Sequence, residues 1–231
     1  MGSTRLPGKV LMPVLDRPLL WWVVHRVRQS RYVDEIVIAT TTNPRDDAIA
    51  TLCETENWSV FRGSEDDVLD RYYQAAQTHD ADVIIRITSD CPLIDPVVND
   101  CVIASFLSAS PAIDYASNIL KRTYPQGLDV EAFSMDALAR AWREVHSSWR
   151  EHVTPYIYSN PDKFHLLSVQ NPVDYSHHRW TVDTPEDLEL IRRIFEHFGH
   201  GDFRWQDVLE LLDVNPDWVA INAHIEQKKL S

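Results

Sequence analysis

The sequence predicts an α/β fold, and three observations support this class. Segments with helical spacing of apolar residues alternate along the chain with short strand-like segments. The stretch from Ala81 to Ile87 is an almost unbroken apolar run, which is typical of a parallel strand covered on both faces. A chain of 231 residues with 44% hydrophobic residues can bury one sizeable core. We therefore expect a single domain spanning residues 1–231.

The helices are predicted from helix-start residues followed by apolar residues at helical spacing. In the first helix, Pro18 stands early and Leu20, Val23, Val24 and Val27 recur on one face. Helices are expected at residues 18–30, 44–56, 64–79, 95–108, 135–146, 150–159, 184–198, 205–212 and 216–227. Short apolar segments predict strands at residues 34–40, 58–62, 81–87, 115–119, 128–133 and 164–169.

Two features depart from a regular alternation. The strands on either side of the turn Tyr124-Pro125-Gln126-Gly127 predict a β-rich insertion around residues 112–135. The chain also opens directly with a glycine-containing basic loop, whereas such a loop in an α/β sheet normally follows a buried strand. The sequence therefore predicts a sheet that lacks its first strand, with an open position beside the run from Ala81 to Ile87.

Charge and composition exclude several classes of protein. The net charge is −13, which argues against a nucleic-acid-binding face, because such a face must be basic. No apolar run approaches the roughly 20 residues of a membrane span, and residues 1–9 have no apolar core of a secretion signal. Three scattered cysteines, Cys53, Cys91 and Cys101, indicate reduced thiols. We therefore expect a cytoplasmic protein without nucleic-acid or membrane partners.

The first candidate for chemistry is the opening stretch from Gly2 to Lys9. Its glycines allow an anion to approach the backbone, Ser3 and Thr4 offer hydroxyls, and Arg5 and Lys9 supply positive charge. The stretch is not a Walker loop, because the Gly-Lys-Ser/Thr order is absent. A polar terminus without a function would have a similar composition, so both interpretations stay open at this point.

Two aspartates each follow a short apolar strand. Asp90 ends the stretch Ile87-Thr88-Ser89-Asp90, and Asp183 follows Trp180-Thr181-Val182. Carboxylates at such a sheet edge can hold Mg²⁺ together with substrate phosphates. A turn before Pro92 would also explain Asp90, whereas the capping box of Thr184 and Asp187 leaves Asp183 unexplained. We predict that the two carboxylates lie within about 8 Å of each other and share one metal ion.

The stretch Gly63-Ser64-Glu65-Asp66-Asp67 has an explanation that needs no ligand. Ser64 is a good N-cap, and the acidic residues that follow suit the positive end of a helix dipole. This stretch alone therefore does not indicate that Gly63 and Ser64 bind a nucleotide.

Taken together, these stretches resemble the cytidylyltransferases of acidic sugars. That family includes the acylneuraminate and 3-deoxy-manno-octulosonate enzymes, and the resemblance is greatest to the spore coat polysaccharide biosynthesis protein F group. It spans residues 1 to about 195. The matching stretches are Met1-Gly2-Ser3-Thr4-Arg5-Leu6-Pro7-Gly8-Lys9, Arg62-Gly63-Ser64-Glu65-Asp66-Asp67-Val68-Leu69-Asp70-Arg71-Tyr72, Thr88-Ser89-Asp90-Cys91-Pro92-Leu93-Ile94-Asp95-Pro96, Gly127-Leu128-Asp129-Val130-Glu131 and Val182-Asp183-Thr184-Pro185-Glu186-Asp187-Leu188.

The resemblance implies a Rossmann-like nucleotidyltransferase fold with a mixed, mostly parallel sheet between helices, and a homodimer. It implies that a sugar hydroxyl attacks the α-phosphate of CTP and that pyrophosphate leaves. Arg5 and Lys9 would be catalytic, and Mg²⁺ would bind to Asp90 and Asp183. Nucleotide binding is expected from Gly2, Ser3, Thr4, Arg5, Lys9, Gly63, Ser64 and Asp90. Sugar binding is expected from Arg86, Arg122, Asp129, Glu131 and Arg179, the arginines being candidates for the sugar carboxylate.

Two other functions remain open from the sequence. The acceptor could be a sugar phosphate or a polyol phosphate in place of an acidic sugar. Alternatively, the chain could be an inactive or regulatory homologue, since it lacks the first strand and the arginine that normally precede the Met-Gly-Ser stretch.

Overall fold

The computed structural model describes residues 2, 5–146 and 148–227 of the chain. A one-turn 3₁₀ helix at Lys9–Leu11 precedes a short antiparallel hairpin. The elements of the first half are β1 (Pro13–Val14), β2 (Arg17–Pro18), α1 (Leu19–Val27), β3 (Val37–Thr41), α2 (Asp47–Glu56), β4 (Ser59–Gly63), α3 (Val68–Thr78), β5 (Val83–Arg86) and α4 (Pro96–Leu107).

The second half begins with strands and ends with helices. Its elements are β6 (Tyr115–Ser117), β7 (Glu131–Ser134), α5 (Met135–Glu144), α6 (Pro155–Tyr158), β8 (Leu166–Ser168), α7 (Pro185–Phe198), α8 (Trp205–Asp213) and α9 (Pro216–Val219). Helix α7 begins as predicted, because Thr184 and Asp187 form a reciprocal capping box with Pro185 at the first helical position.

The strands form a mixed, mostly parallel sheet, which confirms the predicted α/β class. β3 and β4 pair in parallel, and the remaining long strands follow the order β5-β7-β6-β8. β7 runs antiparallel to β5 and β6, whereas β6 and β8 are parallel. The β-rich stretch around residues 112–135 supplies β6 and β7, so it lies inside this sheet.

A gap separates the two parts of the sheet. Within the described part of the chain, β3 pairs only with β4, and β5 pairs only with β7. A cavity of about 800 Å³ lies between β3 and β5, and residues of both strands line it.

Two predicted elements start later in the chain than expected. In both cases, side chains form hydrogen bonds with backbone groups near the start of the element. Helix α3 begins at Val68 and not at Ser64, since the Asp67 carboxylate caps it by accepting a bond of 2.8 Å from the Asp70 amide. Strand β7 begins at Glu131 and not at residue 128, since the Asn118 side chain binds the backbone of residues 128 and 130.

Two other predicted helices are wrong. The helix expected over residues 150–159 is divided into a 3₁₀ turn at Ser148–Glu151 and the single turn α6. Pro155 starts that second turn and cannot donate a backbone hydrogen bond to the turn before it. The helix expected over residues 216–227 ends at Val219. Beyond this residue the Asn222 side chain turns inward and donates to the Arg179 carbonyl oxygen at 2.9 Å.

The largest buried apolar cluster joins distant parts of the chain. It contains residues from Leu6 to Leu212, so the opening loop and the last long helix share one core. Within the described residues, no helix combines the length and the apolar character needed to cross a bilayer.

Gly127 lies between β6 and β7 and packs against Trp180 and Thr181, in the segment that leads to α7. Its φ angle is +107°, and a Cβ placed there would lie 2.7 Å from the Thr181 nitrogen and 2.7 Å from the Trp180 carbonyl carbon. We predict that Gly127→Ala lowers the free energy of unfolding by about 2–4 kcal/mol, because neither backbone segment can give way.

Gly199 at the end of α7 is the matched control for this substitution. Its φ is +70°, and a Cβ there would have nothing within 4 Å. Gly199→Ala should cost only about 1 kcal/mol, the cost of the left-handed conformation. Urea unfolding measures both variants, and equal losses would contradict the close approach at Gly127.

Candidate active site

Two loops at the edge of the sheet are joined by their backbones. Asp90 lies in the turn that follows β5, and Asp183 lies two residues before α7. The Val182 amide donates to the Asp90 carbonyl oxygen at 2.8 Å, and the Thr181 hydroxyl donates to the same oxygen at 3.4 Å. These bonds hold the two aspartates side by side.

The Lys9 ammonium lies between the two carboxylates. Its Nζ is 2.8 Å from Asp90 Oδ2 and 2.8 Å from Asp183 Oδ1, so these oxygens are at most twice that distance apart. The two carboxylates thus lie well within the predicted 8 Å. The three side chains are only 12%, 23% and 14% exposed, in the order Lys9, Asp90, Asp183. The arrangement is a partly buried pair of anions that shares one cation.

Two arginines complete the charges around Asp183. Arg5 Nη2 and Arg179 Nη2 each lie 2.9 Å from Asp183 Oδ2. Burial alone would raise the pKa of Asp183, but Lys9, Arg179 and Arg5 outweigh this effect and lower it. Burial would likewise lower the pKa of Lys9, and the two aspartates outweigh it and raise that pKa. Lys9 is therefore a charged ammonium at neutral pH.

Asp187 is the buried anchor of Arg179. Its carboxylate, which is fully buried, accepts from Arg179 Nε at 2.8 Å and from Nη2 at 2.9 Å. One of its oxygens also accepts from the Asp183 amide at 2.9 Å. In the C-terminal segment, the Asn222 side chain donates to Asp187 Oδ1 at 2.9 Å, and the Gln227 side chain accepts from Arg179 Nη1 at 2.5 Å. Asp187 thus holds both the backbone of Asp183 and its arginine partner in position.

Arg122 and Asp129 form a second ion pair beside this cluster. The guanidinium donates two bonds, of 2.5 and 2.8 Å, to the two oxygens of Asp129. Both side chains are partly exposed, at 28% and 29%. Burial raises the pKa of the Cys91 thiol, and the nearby charges of Asp90 and Asp129 raise it further. Cys91 is therefore a neutral thiol. The pair lies near Asp90, because the Gly127 amide donates to Asp129 Oδ1 at 3.4 Å and Gly127 packs against Thr181, whose hydroxyl donates to the Asp90 carbonyl oxygen.

The expected nucleotide-binding residues near β4 lie at a neighbouring rim. Gly2 lies against Arg45 and Glu65, since a Cβ there would be 3.4 Å from Arg45 Nη2 and 3.5 Å from Glu65 Oε1. Gly63 ends β4, and the Ser64 hydroxyl accepts from the Asp67 amide at 3.0 Å. Ser3 and Thr4 lie outside the described residues. A nucleotide role for Gly2, Gly63 and Ser64 stays a prediction.

Arg86 and Glu131 belong to a buried network in the sheet. They are register partners on β5 and β7 and form an ion pair. Glu131, which is 2% exposed, also accepts from the Tyr115 hydroxyl at 2.7 Å and from the Thr154 hydroxyl at 2.5 Å. Among the described residues, no hydrogen bond connects this network to Lys9. These contacts show that both residues support the sheet, and their contact with the sugar stays a prediction.

Asp90 and Asp183 are the carboxylates of this site that could hold a metal ion. Mg²⁺ typically binds through one or two carboxylates and takes its other ligands from water and phosphate oxygens. Asp90 and Asp183 provide such a pair. In the described part of the chain, no set of three or more His, Cys, Asp or Glu side chains could hold a metal by itself.

Three residues of the site were not predicted from the sequence. The capping box accounts for Asp187 in the sequence. Its contacts with Arg179 and with the Asp183 amide leave no separate signal in the sequence. Asn222 and Gln227 lie in a segment without a recognisable motif. Only the tertiary structure brings these three residues to Arg179.

Replacing Asp187 tests this anchor. Asp187→Asn keeps the size of the side chain but removes the carboxylate charge that binds the buried Arg179 guanidinium through two bonds, and it leaves Asp183 as the remaining anionic partner. The free energy of unfolding should therefore fall by about 3 kcal/mol. Glu186→Gln removes the same charge one residue earlier, on an exposed side chain, and should leave the midpoint unchanged. Urea unfolding compares the two variants. Equal small effects would mean that Asp187 acts only as a helix cap.

Comparison with known proteins agrees with the geometry of the site. The cytidylyltransferase family profile matches residues 1–214. The spore coat polysaccharide biosynthesis protein SpsF of Bacillus subtilis is 35% identical over 226 residues, which cover 94% of this chain and 92% of that protein. The 3-deoxy-manno-octulosonate cytidylyltransferase of Geobacter sulfurreducens is 25% identical, with 98% of this chain and 81% of that protein covered.

A solved structure gives the same assignment. A cytidylyltransferase from Leptospira borgpetersenii is 33% identical to this chain and superposes with a TM-score of 0.91. The superposition covers 99% of this chain and 95% of the other. The profile match, the relatives and this structure agree, and the chain therefore belongs to the cytidylyltransferase family of nucleotidyltransferases.

Proposed function

We propose that the protein transfers CMP from CTP to a hydroxyl of an acidic sugar, a ulosonic or nonulosonic acid, and releases pyrophosphate. The observation that carries this proposal is the Lys9 ammonium held between Asp90 and Asp183 beside Arg5. Phosphoryl chemistry needs cations for the triphosphate and carboxylates for a metal ion in one place. The relatives named for spore coat polysaccharide and for 3-deoxy-manno-octulosonate support an acidic sugar of a surface polysaccharide.

Asp90 and Asp183 are the residues that would hold Mg²⁺. When bound, Mg²⁺ would offset the negative charge that develops on the phosphate oxygens. Lys9 bonds to the same two carboxylates. A bound ion and the ammonium would therefore compete for these oxygens.

Arg5 and Lys9 are the residues that would bind the leaving pyrophosphate. Arg5 is 36% exposed, so its guanidinium can reach a ligand while Lys9 is held deeper in the site. An in-line displacement of this kind depends on positioning and on charge neutralisation, and it requires no nucleophilic side chain. The neutral Cys91 thiol is consistent with this mechanism.

Arg122 is the best candidate for the sugar carboxylate. Arg86 is bound to the buried Glu131, and Arg179 is 6% exposed and committed to Asp183 and Asp187. Arg122 and Asp129 are partly exposed beside Asp90, where a guanidinium can bind a carboxylate and an aspartate can accept from a hydroxyl. The expected homodimer and the cytoplasmic location remain predictions.

A substrate screen tests the proposed reaction. Pyrophosphate release should require Mg²⁺, should be fastest with CTP among CTP, UTP, GTP and ATP, and should depend on an added ulosonic or nonulosonic acid. Excess EDTA should stop the reaction. Sugar phosphates and polyol phosphates serve as the alternative acceptors. Release with these acceptors alone would overturn the acidic-sugar assignment, and no release with any acceptor would favour an inactive homologue.

Lys9→Ala tests the shared position of the ammonium and the metal ion. We expect turnover to fall about 100-fold, because a cation is lost where phosphate charge develops. The dissociation constant for Mn²⁺, measured by electron paramagnetic resonance, should decrease by at least about threefold, because the competing charge is gone. Lys163→Ala, at an exposed ion pair with Glu144, should change neither quantity. Weaker Mn²⁺ binding in Lys9→Ala would contradict the competition.

A further inference from the structure

We propose that Asn222 is a positioning residue for nucleotidyl transfer. It fixes Arg179 and Asp187 relative to each other and acts through them on the Asp183 carboxylate. For its reaction the proposal rests on the proposed function, and for its geometry it rests on the contacts of the described residues. Asn222 lies beyond residues 1–214, the part of the chain that the family profile matches.

The Asn222 side chain makes two hydrogen bonds with one amide group. Its Nδ2 donates at 2.9 Å to the Arg179 carbonyl oxygen and at 2.9 Å to Asp187 Oδ1. Asn222 is only 3% exposed, so bulk water does not compete for these bonds. The two hydrogens of a primary amide have fixed directions in one plane. The group therefore fixes the distance between the main chain of Arg179 and the carboxylate that binds the Arg179 guanidinium.

Arg179 is held at both ends, and its far end bonds to Asp183. Its Nε and Nη2 donate to Asp187 at 2.8 and 2.9 Å, and Nη2 also donates to Asp183 Oδ2 at 2.9 Å. A guanidinium is a rigid planar fork, so a shift of Asp187 or of the Arg179 main chain moves Nη2. The orientation of the Asp183 carboxylate thus depends on Asn222.

The segment that carries Asn222 is attached to the core independently of these bonds. Trp218, Val219 and Ile221 pack against the largest apolar cluster, on the chain just before Asn222. Loss of the Asn222 amide should therefore leave the segment in place. The amide acts on a local arrangement of charges, and the apolar contacts hold the surrounding fold.

A small cavity gives Arg179 room to move when the amide is lost. Its volume is about 110 Å³, and Gln126, Arg179 and Asn222 are among the residues that line it. A tightly packed wall would hold Arg179 in place by itself, whereas an open one does not. The hydrogen bonds of Asn222 are consequently needed to keep Arg179 in the position that serves Asp183.

Asn222→Ala tests the positioning role. We expect kcat for pyrophosphate release to fall about 10-fold, because a small displacement next to the reacting groups slows turnover. The KM for CTP should change by less than about twofold, since Arg5 and Lys9 keep their places. The dissociation constant for Mn²⁺, measured by electron paramagnetic resonance, should rise at least about threefold, because Asp183 loses its outer support.

Asn215→Ala is the matched control. It removes a side-chain amide a few residues earlier that donates to the Leu211 carbonyl oxygen at 2.8 Å. It should change neither kcat nor Mn²⁺ binding. Tm should fall by less than about 6 °C in both variants, so a loss of stability alone cannot explain a difference between them.

Asn222→Asp provides a pH signature that loss of stability does not give. It keeps the size of the side chain but places a carboxyl group against two acceptors, the Arg179 carbonyl oxygen and Asp187 Oδ1. Burial and the charge of Asp187 raise the pKa of this new group, and its protonated form can donate to Asp187 again. The ratio of its kcat to the wild-type kcat should therefore rise about fivefold between about pH 8.5 and about pH 6.

The other titratable groups near this position are present in the wild type as well. His177 and His178 line the cavity beside Asn222, and His224 follows two residues later in the chain. Dividing by the wild-type kcat at each pH removes their contribution. Asn215→Asp is the control for this measurement and should give a ratio that does not depend on pH.

Three results would overturn the proposal. They are an unchanged kcat and unchanged Mn²⁺ binding in Asn222→Ala, equal losses in Asn215→Ala, and a pH-independent ratio for Asn222→Asp. Failure of the proposed function has a different sign, since the wild type would then release no pyrophosphate with any acidic sugar. In that case the Mn²⁺ dissociation constants of the wild type and Asn222→Ala decide the positioning role by themselves.

Discussion

Two ionised carboxylates that lie side by side in a partly buried site repel each other strongly unless positive charge lies between them. In this protein the constraint is met by Lys9, whose ammonium is 2.8 Å from both Asp90 and Asp183. The rest of the site is arranged around this triplet. Arg5 and Arg179 add positive charge on the outer oxygen of Asp183, which keeps that carboxylate ionised.

The backbone sets the distances on which that balance depends. The Val182 amide joins the loop of Asp183 to the carbonyl group of Asp90. The buried Asp187 binds the backbone of Asp183 and orients Arg179 through two bonds. Hydrogen bonds of this kind in a water-poor interior are short and directional, and they define positions more tightly than exposed ion pairs do. The geometry of the charged triplet is therefore a property of the fold and not of flexible side chains alone.

The parts of the fold that could be predicted from the sequence are those with local causes. Helix α7 was predicted to its first residue, because its capping box and proline lie next to each other in the chain. The helix expected at residues 216–227 failed, because Asn222 is drawn toward Arg179 and Asp187, contacts that no local pattern contains. The site shows the same division. Asp90 and Asp183 were predictable from strand ends, whereas Arg86 and Glu131 turned out to be partners within the sheet.

The opening loop connects this site with the gap in the sheet. Between Arg5 and Lys9 the loop has no regular strand or helix, so its position depends on its anchors. Leu6 is buried in the largest apolar cluster, and Val10 is buried in a second cluster and also lines the cavity beside β3. Val10 thus lines the cavity, one residue from the ammonium that bridges the two aspartates. Packing in the cavity therefore acts directly on the residue next to Lys9.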